Sequence, residues 1–413
     1  MALAVQPRRR IARRAALAVA ACAVVAGCGG NEGWVARDVP GRYSSIQAAV
    51  DAAHPGDLVR IAPGVYDQSV VVAEEKQDVV IRGEDRNRTV LDGGGRRSVG
   101  ILVRGQGTAI ENLTVRRYKT AGVLMETPRG ARRPLRGWRV SYVTAIGAGR
   151  VGVLARAAQG GTVDHVLARG FERAGVLFAE CAPCDGVVID GVADRSRAGF
   201  EARDASDNLI VARSRFSHNR LGVVLSATRT DEGVAPGGDV TIAGNTIADN
   251  DEWHSPGGGD RFGIGVLVSG GRGNAIARNL VTRHATAGIL IEAGPAGPAA
   301  EISVQGNVLA GNGLDLALAR SPRQPTSKGS CFAQNRFTSS LPHDIEKVLP
   351  CQADVPLPVE ALALPPAAPA APPRAVALPA PQAQLPEART AAPKPARPPG
   401  RLDVARIGVP GSG

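Results

Sequence analysis

A glycine followed by apolar residues recurs along the chain about every 23 residues, and this period constrains the fold more than any other sequence feature. The repeat starts at Gly100-Ile101-Leu102-Val103 and ends in a weaker copy at Gly313-Leu314. Successive glycines are 22, 30, 23, 24, 23, 43, 23 and 25 residues apart, so two insertions interrupt the basic unit. Shorter β-rich runs, such as Val240-Thr241-Ile242, lie between the glycines. Three short strands and three turns in each unit indicate one coil of a parallel β-helix.

The same pattern excludes two other kinds of repeat protein. Leucine-rich repeats share the period, but their order L-x-x-L-x-L-x-x-N is missing here. Helical repeats are longer and need uninterrupted helical patterns, which runs punctuated by glycine do not allow.

Both ends of the predicted solenoid carry a segment that can cover it. A capping-box sequence around Ser45 precedes an apolar helical face within residues 46–53. At the other end, Cys331, the amphipathic run 342–349 and Cys351 are predicted to form a cap fastened by a disulfide. Because a β-helix leaves unpaired strand edges at both ends, such covers are physically expected.

The first third of the chain also carries a family resemblance. Gly56-Asp57 is followed by Pro63-Gly64-Val65-Tyr66, and then by Val79-Val80-Ile81-Arg82-Gly83 and Val90-Leu91-Asp92-Gly93. This order resembles the opening of the pectin-lyase-like superfamily of right-handed parallel β-helices, which includes repeat proteins related to the copper-maturation factor NosD. The resemblance covers residues 42–312. It implies a right-handed coil and leaves the activity open.

The predicted fold is therefore all-β, with a right-handed single-stranded parallel β-helix over residues 42–351. Residues 1–27 are predicted to be a signal peptide, and residues 28–41 a tether. Residues 352–413 hold 15 of the 30 prolines. This segment is predicted to be a disordered Pro/Ala-rich tail, extended or polyproline-like, because it cannot bury a core of its own.

The N-terminus has the features of an export signal. Five arginines within residues 8–14 precede a 13-residue apolar run, which is too short to span a bilayer. The run ends in Val25-Ala26-Gly27-Cys28, which resembles the bacterial lipobox. That resemblance implies cleavage before Cys28, lipidation of its thiol, and an extracytoplasmic protein anchored to the bacterial cell membrane by lipid.

The remaining cysteines agree with an oxidising compartment. Cys181, Cys184, Cys331 and Cys351 allow three pairings, of which we expect the two local ones, Cys181 with Cys184 and Cys331 with Cys351. A four-cysteine zinc site is the functional alternative.

The net charge of +11 does not indicate a nucleic-acid-binding protein. The first 30 residues contain five arginines and no acidic residue, and the tail contains six basic and four acidic residues. The rest of the chain is close to neutral, which argues against a general polyanion-binding protein and predicts no nucleic-acid partner.

The insertions in the repeat predict where a ligand would bind. Segments 127–137 and 227–238 both follow the glycine-led strand of their coils, so they should project from one edge, four coils or roughly 19 Å apart. A groove between them would have a floor near Ala155, Phe178 and Ala202. A third insertion, 251–262, precedes the glycine-led strand.

The first insertion is basic, and an indole, Trp138, follows it directly. Arginine forks beside a tryptophan suit carboxylated or phosphorylated sugars, because paired hydrogen bonds and stacking then act together. The alternative is a solvated turn. The predicted ligand-binding residues are Arg129, Arg132, Arg133, Arg136, Trp138 and Arg203.

Acidic residues provide weaker candidates. Asp251, Glu252 and Asp260 are the candidate calcium ligands, with an ordinary soluble loop as the alternative. Glu201 and Asp204 are the only catalytic candidates, at the middle of the predicted groove, and a pair of chance surface acids is the alternative.

An aliphatic row should also face outward on the glycine-led strands. The residues two after each glycine are mostly leucine or valine, and alternation turns them away from the core. Such a row would be a docking surface if exposed, unless a loop or the tail covers it.

Motifs of the enzymes with this fold are incomplete. Arg132-Arg133-Pro134-Leu135-Arg136 is one residue short of the R-x-P-x-x-R string of pectate lyases. The Asp pair and Gly-His-Gly of polygalacturonases are missing. The function predicted from the sequence is therefore binding of a cell-envelope or extracellular acidic polysaccharide by a membrane-anchored lipoprotein. A polysaccharide lyase or glycoside hydrolase, and a NosD-like maturation or scaffold factor, are the alternatives. The sequence leaves the oligomeric state open.

Overall fold

The computed structural model describes residues 33–147, 149–230, 233–234, 237–258, 261–319, 329–351 and 376–411. Within these ranges the strands form three long parallel sheets, named A, B and C here, and one short antiparallel pair. Sheet A contains β1 (Ala36–Val39), β2 (Leu58–Ile61), β5 (Val80–Gly83), β8 (Ala109–Glu111), β11 (Arg136–Ser141), β14 (Gln159–Asp164), β17 (Gly186–Ile189), β20 (Ser206–Ala212), β25 (Gly238–Ala243), β28 (Ala275–Ala277), β31 (Ser303–Gln305) and β34 (Cys331–Ala333).

The other sheets alternate with sheet A along the chain. Sheet B contains β3 (Gly64–Tyr66), β6 (Thr89–Asp92), β9 (Thr114–Arg116), β12 (Thr144–Ile146), β15 (Leu167–Arg169), β18 (Val192–Asp194), β21 (Arg215–Ser217), β26 (Thr246–Ala248), β29 (Leu280–Thr282) and β32 (Val308–Ala310). Sheet C contains β4 (Val70–Val72), β7 (Val99–Val103), β10 (Ala121–Glu126), β13 (Val151–Arg156), β16 (Ala174–Ala179), β19 (Ala198–Arg203), β22 (Leu221–Ser226), β27 (Ile264–Ser269), β30 (Ala287–Glu292), β33 (Leu316–Leu318) and β35 (Ser340–Leu341). The antiparallel pair is β23 (Arg229–Thr230) with β24 (Gly233–Val234).

One coil contributes one strand to each sheet, as the glycine period predicted. In sheet C, Val123 of β10 lies between Ile101 of β7 and Val153 of β13, and all three side chains are buried. Equivalent residues of successive coils therefore stack in columns, and the interior columns form one continuous apolar core.

A two-residue turn joins sheets A and B in the central coils. Its first residue has a left-handed backbone: Tyr142, His165, Asp190 and Arg213 occupy this position in successive coils, with φ between 46° and 54°. The left-handed residue reverses the chain sharply and returns the next residue to the interior.

In the later coils that interior turn residue is an asparagine. Asn245 donates to the Oδ1 atom of Asn279 at 3.0 Å, and Asn279 donates to Asn307 at 3.0 Å. All three side chains are fully buried. Each also donates to a main-chain carbonyl of the preceding coil, so these buried polar side chains have hydrogen-bond partners. A second ladder runs through Asn219, Asn250, His284 and Asn312.

The predicted covers are present at both ends. Helix α1 (Ile46–Asp51) begins after Ser45, whose Oγ accepts from the Ala48 amide, and Ile46, Ala49 and Val50 are buried. At the other end a short helix α2 (Ile345–Val348) lies between Cys331 and Cys351, which are joined in a disulfide as predicted. The structure also pairs Cys181 with Cys184, so these thiols form no zinc site.

The β-helix begins earlier than predicted. Residues 36–39 form β1, which pairs with β2, so part of the expected tether belongs to sheet A. Buried Asp57 secures this strand by accepting from Arg37 and from the Val35 amide. These donors overcome the cost of burial and lower the pKa of Asp57.

Part of the C-terminal segment was wrongly predicted to be disordered. Residues 376–411 contain only a 3₁₀ turn (Val404–Arg406), yet they lie against the outside of the β-helix. The composition argument correctly found that the segment has no core of its own. It failed because residues of the β-helix supply the missing partners.

The leader prediction lies outside the described residues. Neither residues 1–27 nor Cys28 fall within them, so cleavage and lipidation stay predictions. Across the ranges that are described, no helix has the length and apolar character needed to cross a bilayer.

Candidate functional site

The first two insertions leave the same edge of sheet C, as predicted. Segment 127–137 follows β10 and segment 227–238 follows β22, and the order β10, β13, β16, β19, β22 separates them by four strand spacings. At about 4.8 Å per spacing the two segments are roughly 19 Å apart. Residues 231–232 and 235–236 of the second segment lie outside the described residues.

A row of alternating charges lies on this edge beside the first insertion. Glu126, at the end of β10, accepts from Arg104 at 2.9 Å and from Arg156 of the next coil. The Glu126 side chain is almost buried, whereas the two arginine side chains are 38% and 44% exposed. One carboxylate therefore holds two guanidinium groups in place, and the row keeps a net positive charge that faces solvent.

Sequence reasoning missed this row, although the repeat contains the signal. Arg104, Glu126, Arg156 and Arg203 each stand four residues after a repeat glycine. Equivalent positions of successive coils stack, so a common offset places these side chains in one column. Reading the charges by offset from the glycine would have found them.

The first insertion adds three exposed arginines to the row. Thr127 and Leu135 fix its base, because the Thr127 hydroxyl donates to the Ala157 carbonyl and accepts from the Leu135 amide at 2.9 Å. Arg129, Arg132 and Arg133 between them are exposed. None of these three has a carboxylate within 4 Å among the residues that the structure describes.

Trp138 does not belong to this surface, contrary to the prediction. Its side chain is fully buried and its ring lies 5.7 Å from that of Phe178. Trp138 points inward from β11, and Gly161 in the next coil leaves the space that the indole fills. Strand alternation places Arg139 outward and its neighbour Trp138 inward, so the indole cannot stack on a ligand. Arg136 is exposed, but it donates to Gln159 at 2.8 Å.

The two catalytic candidates are already engaged. Glu201 is buried and forms a two-point ion pair with Arg173, with N–O distances of 3.0 and 2.6 Å. Asp204 accepts from the amide and the hydroxyl of Thr228 at 2.6 and 2.7 Å. Both carboxylates therefore have partners within the protein.

Arg203 lies beside these acids, at the same edge of sheet C as the basic row. It contacts Glu180 at 3.4 Å and Asp204 at 3.9 Å, and its side chain is 30% exposed. The middle of the predicted groove is therefore more nearly neutral than the end that carries the first insertion.

The candidate calcium ligands do not converge within the described residues. Asp260 lies outside them, and no group of three or more His, Cys, Asp or Glu side chains is positioned to hold a metal in the described part of the chain. Burial and the nearby charge of Asp249 raise the pKa of Asp251. Glu252 accepts from the amide of His254 at 3.0 Å and so braces its own loop.

The outward aliphatic row is buried, not exposed. Its members include Leu124, Leu154, Leu177 and Leu290, each at most 9% exposed. They pack with alanine, valine and leucine neighbours of sheet C into a second apolar cluster. The row offers no open docking surface.

The comparisons with known proteins establish the family. The family model described as "Right handed beta helix region" matches residues 99–309, about half of the chain, and the chain belongs to this family. No curated protein matches the sequence.

Several solved structures are similar to this chain at low identity. The A-module of mannuronan C-5 epimerase AlgE6 from Azotobacter vinelandii is 17% identical, with 71% of this chain and 86% of that chain covered and a TM-score of 0.46. Pectate lyase Pel9A is 14% identical, with 72% and 71% covered and a TM-score of 0.47. The Dettilon tailspike protein (gp208) is 12% identical, with 74% and 68% covered and a TM-score of 0.50. These likenesses concern the fold.

Proposed function

We propose that this protein binds an acidic polysaccharide of the cell envelope or its surroundings along the basic edge of sheet C. The observation that carries the proposal is the row Arg104–Glu126–Arg156 together with the exposed arginines of segment 127–137. A carboxylated chain laid along this edge would meet the guanidinium groups of Arg104 and Arg156 and, beside them, those of segment 127–137.

Charge arrangement favours binding over turnover. A lyase or hydrolase needs an ionisable group free to move a proton at the substrate. Glu201 and Asp204 are held by Arg173 and Thr228, and Glu126 holds two arginines. Within the described residues, the edge thus offers fixed positive charge, and the carboxylates beside it already have protein partners.

The proposed location is outside the cytoplasm, on a membrane to which a lipidated Cys28 anchors the chain. The leader sequence supports this part of the proposal, and so do the two disulfides, which persist in oxidising compartments. Metabolic labelling with a fatty acid tests it, because a Cys28→Ser variant should then lose the label.

A charge-matched pair of triple variants tests glycan binding. Arg129→Gln/Arg132→Gln/Arg133→Gln removes three arginines from the basic edge. Arg42→Gln/Arg195→Gln/Arg336→Gln removes three exposed arginines elsewhere, so both proteins have the same net charge. Calorimetric titration with polygalacturonate, and with uncharged dextran as the reference polymer, measures the affinity.

We expect the first triple variant to bind polygalacturonate more weakly than the second. Exposed ion pairs contribute about 0.2–1 kcal/mol each, so the loss of three corresponds to about 1–2 kcal/mol, or roughly 5- to 30-fold in Kd. Equal affinities of the two variants would refute the proposed site. Unsaturated products or new reducing ends in the titrated polymer would show that the protein cleaves the polysaccharide, and would replace the proposed binding function by an enzymatic one.

A further inference from the structure

The C-terminal segment 376–411 is held on the β-helix by many specific contacts. Gln382 and Asn87 exchange two hydrogen bonds, at 2.7 and 2.9 Å. The Leu385 amide donates to Asn112 at 2.8 Å, and the Ala396 amide donates to the Gly107 carbonyl at 2.8 Å. Asn87 lies in one coil, and Gly107 and Asn112 lie in the next, so the segment contacts two neighbouring coils here.

Arginines of the β-helix bind the main chain of the segment. Four of them donate to its carbonyl groups at 2.6–3.0 Å: Arg86 to Ala383, Arg82 to Ala391, Arg139 to Lys394 and Arg278 to Val404. Glu111 accepts from both Arg82 and Arg139 and fixes their direction. Recognition of carbonyl groups does not depend on side chains, which suits a segment composed largely of proline and alanine.

Arg86 is a buried residue of the β-helix that obtains one of its hydrogen-bond acceptors from the segment. It is 2% exposed and has no carboxylate within 4 Å in the described part of the chain. Besides the Ala383 carbonyl, its guanidinium donates to the Thr144 hydroxyl and the Val143 carbonyl. Burial lowers the pKa of Arg86 to about 10. A buried cation balanced by neutral acceptors alone needs each of them.

Two apolar contacts fix the position of the segment. Ala396 is fully buried against Leu58, Val80 and Ala109 on the outer face of sheet A. Ile407 packs against Ile210, Ala212 and Ala243 further along the same sheet. Ala396 and Ile407 are eleven residues apart. The carbonyls of Ala383, Ala391 and Lys394, which accept from arginines, precede Ala396, and that of Val404 lies between the two anchors.

Glycines of the β-helix make room for the segment. A Cβ atom on Gly244 would lie 2.1 Å from Ile407, and one on Gly170 would lie 2.4 Å from Val376. Pro398 lies 3.2 Å from the equivalent points on Gly137 and Gly160. All four glycines have positive φ. Because asparagine also tolerates that backbone conformation, φ alone does not require glycine. Glycine is needed at these positions because a side chain would collide with the segment.

We propose that the outer face of sheet A, together with the adjoining turns to sheet B, is a receptor surface for an extended Pro/Ala-rich polypeptide, and that this chain's own residues 376–411 are its ligand. The contacts between the two parts are sufficient to hold the segment without the connecting residues 352–375. The proposal uses none of the arginines of the glycan site, although Gly137, the last residue of segment 127–137, also contacts the C-terminal segment.

Cutting the connection tests the proposal on the full chain. A specific protease site is inserted after residue 365, and the cut protein is examined by size-exclusion chromatography and by hydrogen exchange of the Leu385 and Ala396 amides. We expect the tail fragment to elute with the β-helix, and both amides to exchange at least roughly tenfold more slowly than in the isolated synthetic peptide.

Two pairs of variants separate recognition from misfolding. Gly244→Asn keeps the left-handed backbone but places a side chain where Ile407 lies. Gly311→Asn is its control, since φ is similar there and only Arg283 is near, at 3.6 Å. Ala396→Glu changes the segment alone, and Ala380→Glu, at an exposed position, is its control.

We expect Gly244→Asn and Ala396→Glu to release the cut fragment, while both controls retain it. All four variants should keep the circular-dichroism spectrum of the folded β-helix, and the two that release the fragment should unfold at a lower midpoint, because they lose a ligand of the native state. Separation of the fragment from the otherwise unchanged protein would overturn the proposal. Equal retention by each variant and its control would overturn it as well, because the anchors would then contribute nothing.

Discussion

Acidification should destabilise this protein through His284, one member of the second polar ladder. The side chain is 1% exposed, and it bonds Asn250 at 3.1 Å and Asn312 at 2.8 Å. Burial lowers its pKa from 6.5 to about 4, although the hydrogen bond to Asn312 works in the opposite direction. Between these two values the unfolded chain binds a proton that the folded chain does not, so stability falls as the pH falls.

The size of the effect follows from the two pKa values. Between pH 7.5 and pH 4.5 the linkage amounts to about 2.5 kcal/mol of unfolding free energy, and it approaches about 3.4 kcal/mol below pH 4. Urea unfolding followed by circular dichroism at both pH values measures the difference. Carboxylates also titrate in this range, so the comparison between variants isolates the histidine.

His284→Asn and His343→Asn form the matched pair. Asparagine at position 284 continues the ladder and carries no titratable proton, so this variant should lose about 2.5 kcal/mol less on acidification than the wild type. His343 is 90% exposed, and its replacement should leave the pH dependence unchanged. The reasoning is refuted if His284→Asn and wild type lose the same free energy between the two pH values.

Three further changes test the packing and the polar ladder. Gly161→Ala should cost about 1–3 kcal/mol, because the added Cβ would lie 1.9 Å from the Trp138 ring, whereas Gly400→Ala, with open space around it, should cost almost nothing in the same urea titration. Asn279→Ala should cost about 1–3 kcal/mol, because it leaves the Ile242 carbonyl and the Asn245 side chain without their buried partner; an unchanged unfolding midpoint would contradict this. Cys331→Ser/Cys351→Ser should cost about 3 kcal/mol by freeing a loop closed over 20 residues, and reductant, which also opens the short Cys181–Cys184 bridge, should destabilise the wild type more than this variant.

The repeat glycine predicted the fold because the same packing requirement occurs in each coil. Gly122 and Gly152 lie next to each other across sheet C, and a Cβ on Gly122 would meet the Gly152 carbonyl at 2.9 Å. That close approach is needed once per coil, so it appears in the sequence as a period. The capping helix and the Cys331–Cys351 cap were also predictable, because each is encoded by a short stretch of sequence and each covers an end of the β-helix.

Features that depend on contacts distant in sequence were harder to predict. Trp138 was read as a surface residue because arginines surround it, but only the strand register shows that it faces the core. The tail was predicted to be disordered because its amino-acid composition shows that it cannot form a core of its own. Composition cannot show partners elsewhere in the chain, such as Arg86, almost 300 residues earlier. Arg104 and Arg156 were missed because charges had been grouped by neighbourhood in the sequence.

Because equivalent residues of successive coils stack, the repeat determines the composition of the outer faces as well as that of the core. This explains why the outer faces differ so much. A residue type repeated at one offset from the glycine becomes a column, whether it is valine inside or arginine outside. Sheet A has an apolar column broken by arginines, and a proline-rich segment with free carbonyl groups complements it. The edge of sheet C has a charged column with too few acids to neutralise it, and within the described residues no segment of the chain supplies them. The proposed ligand of that edge, an acidic polysaccharide, would bring the negative charge itself, in repeated units.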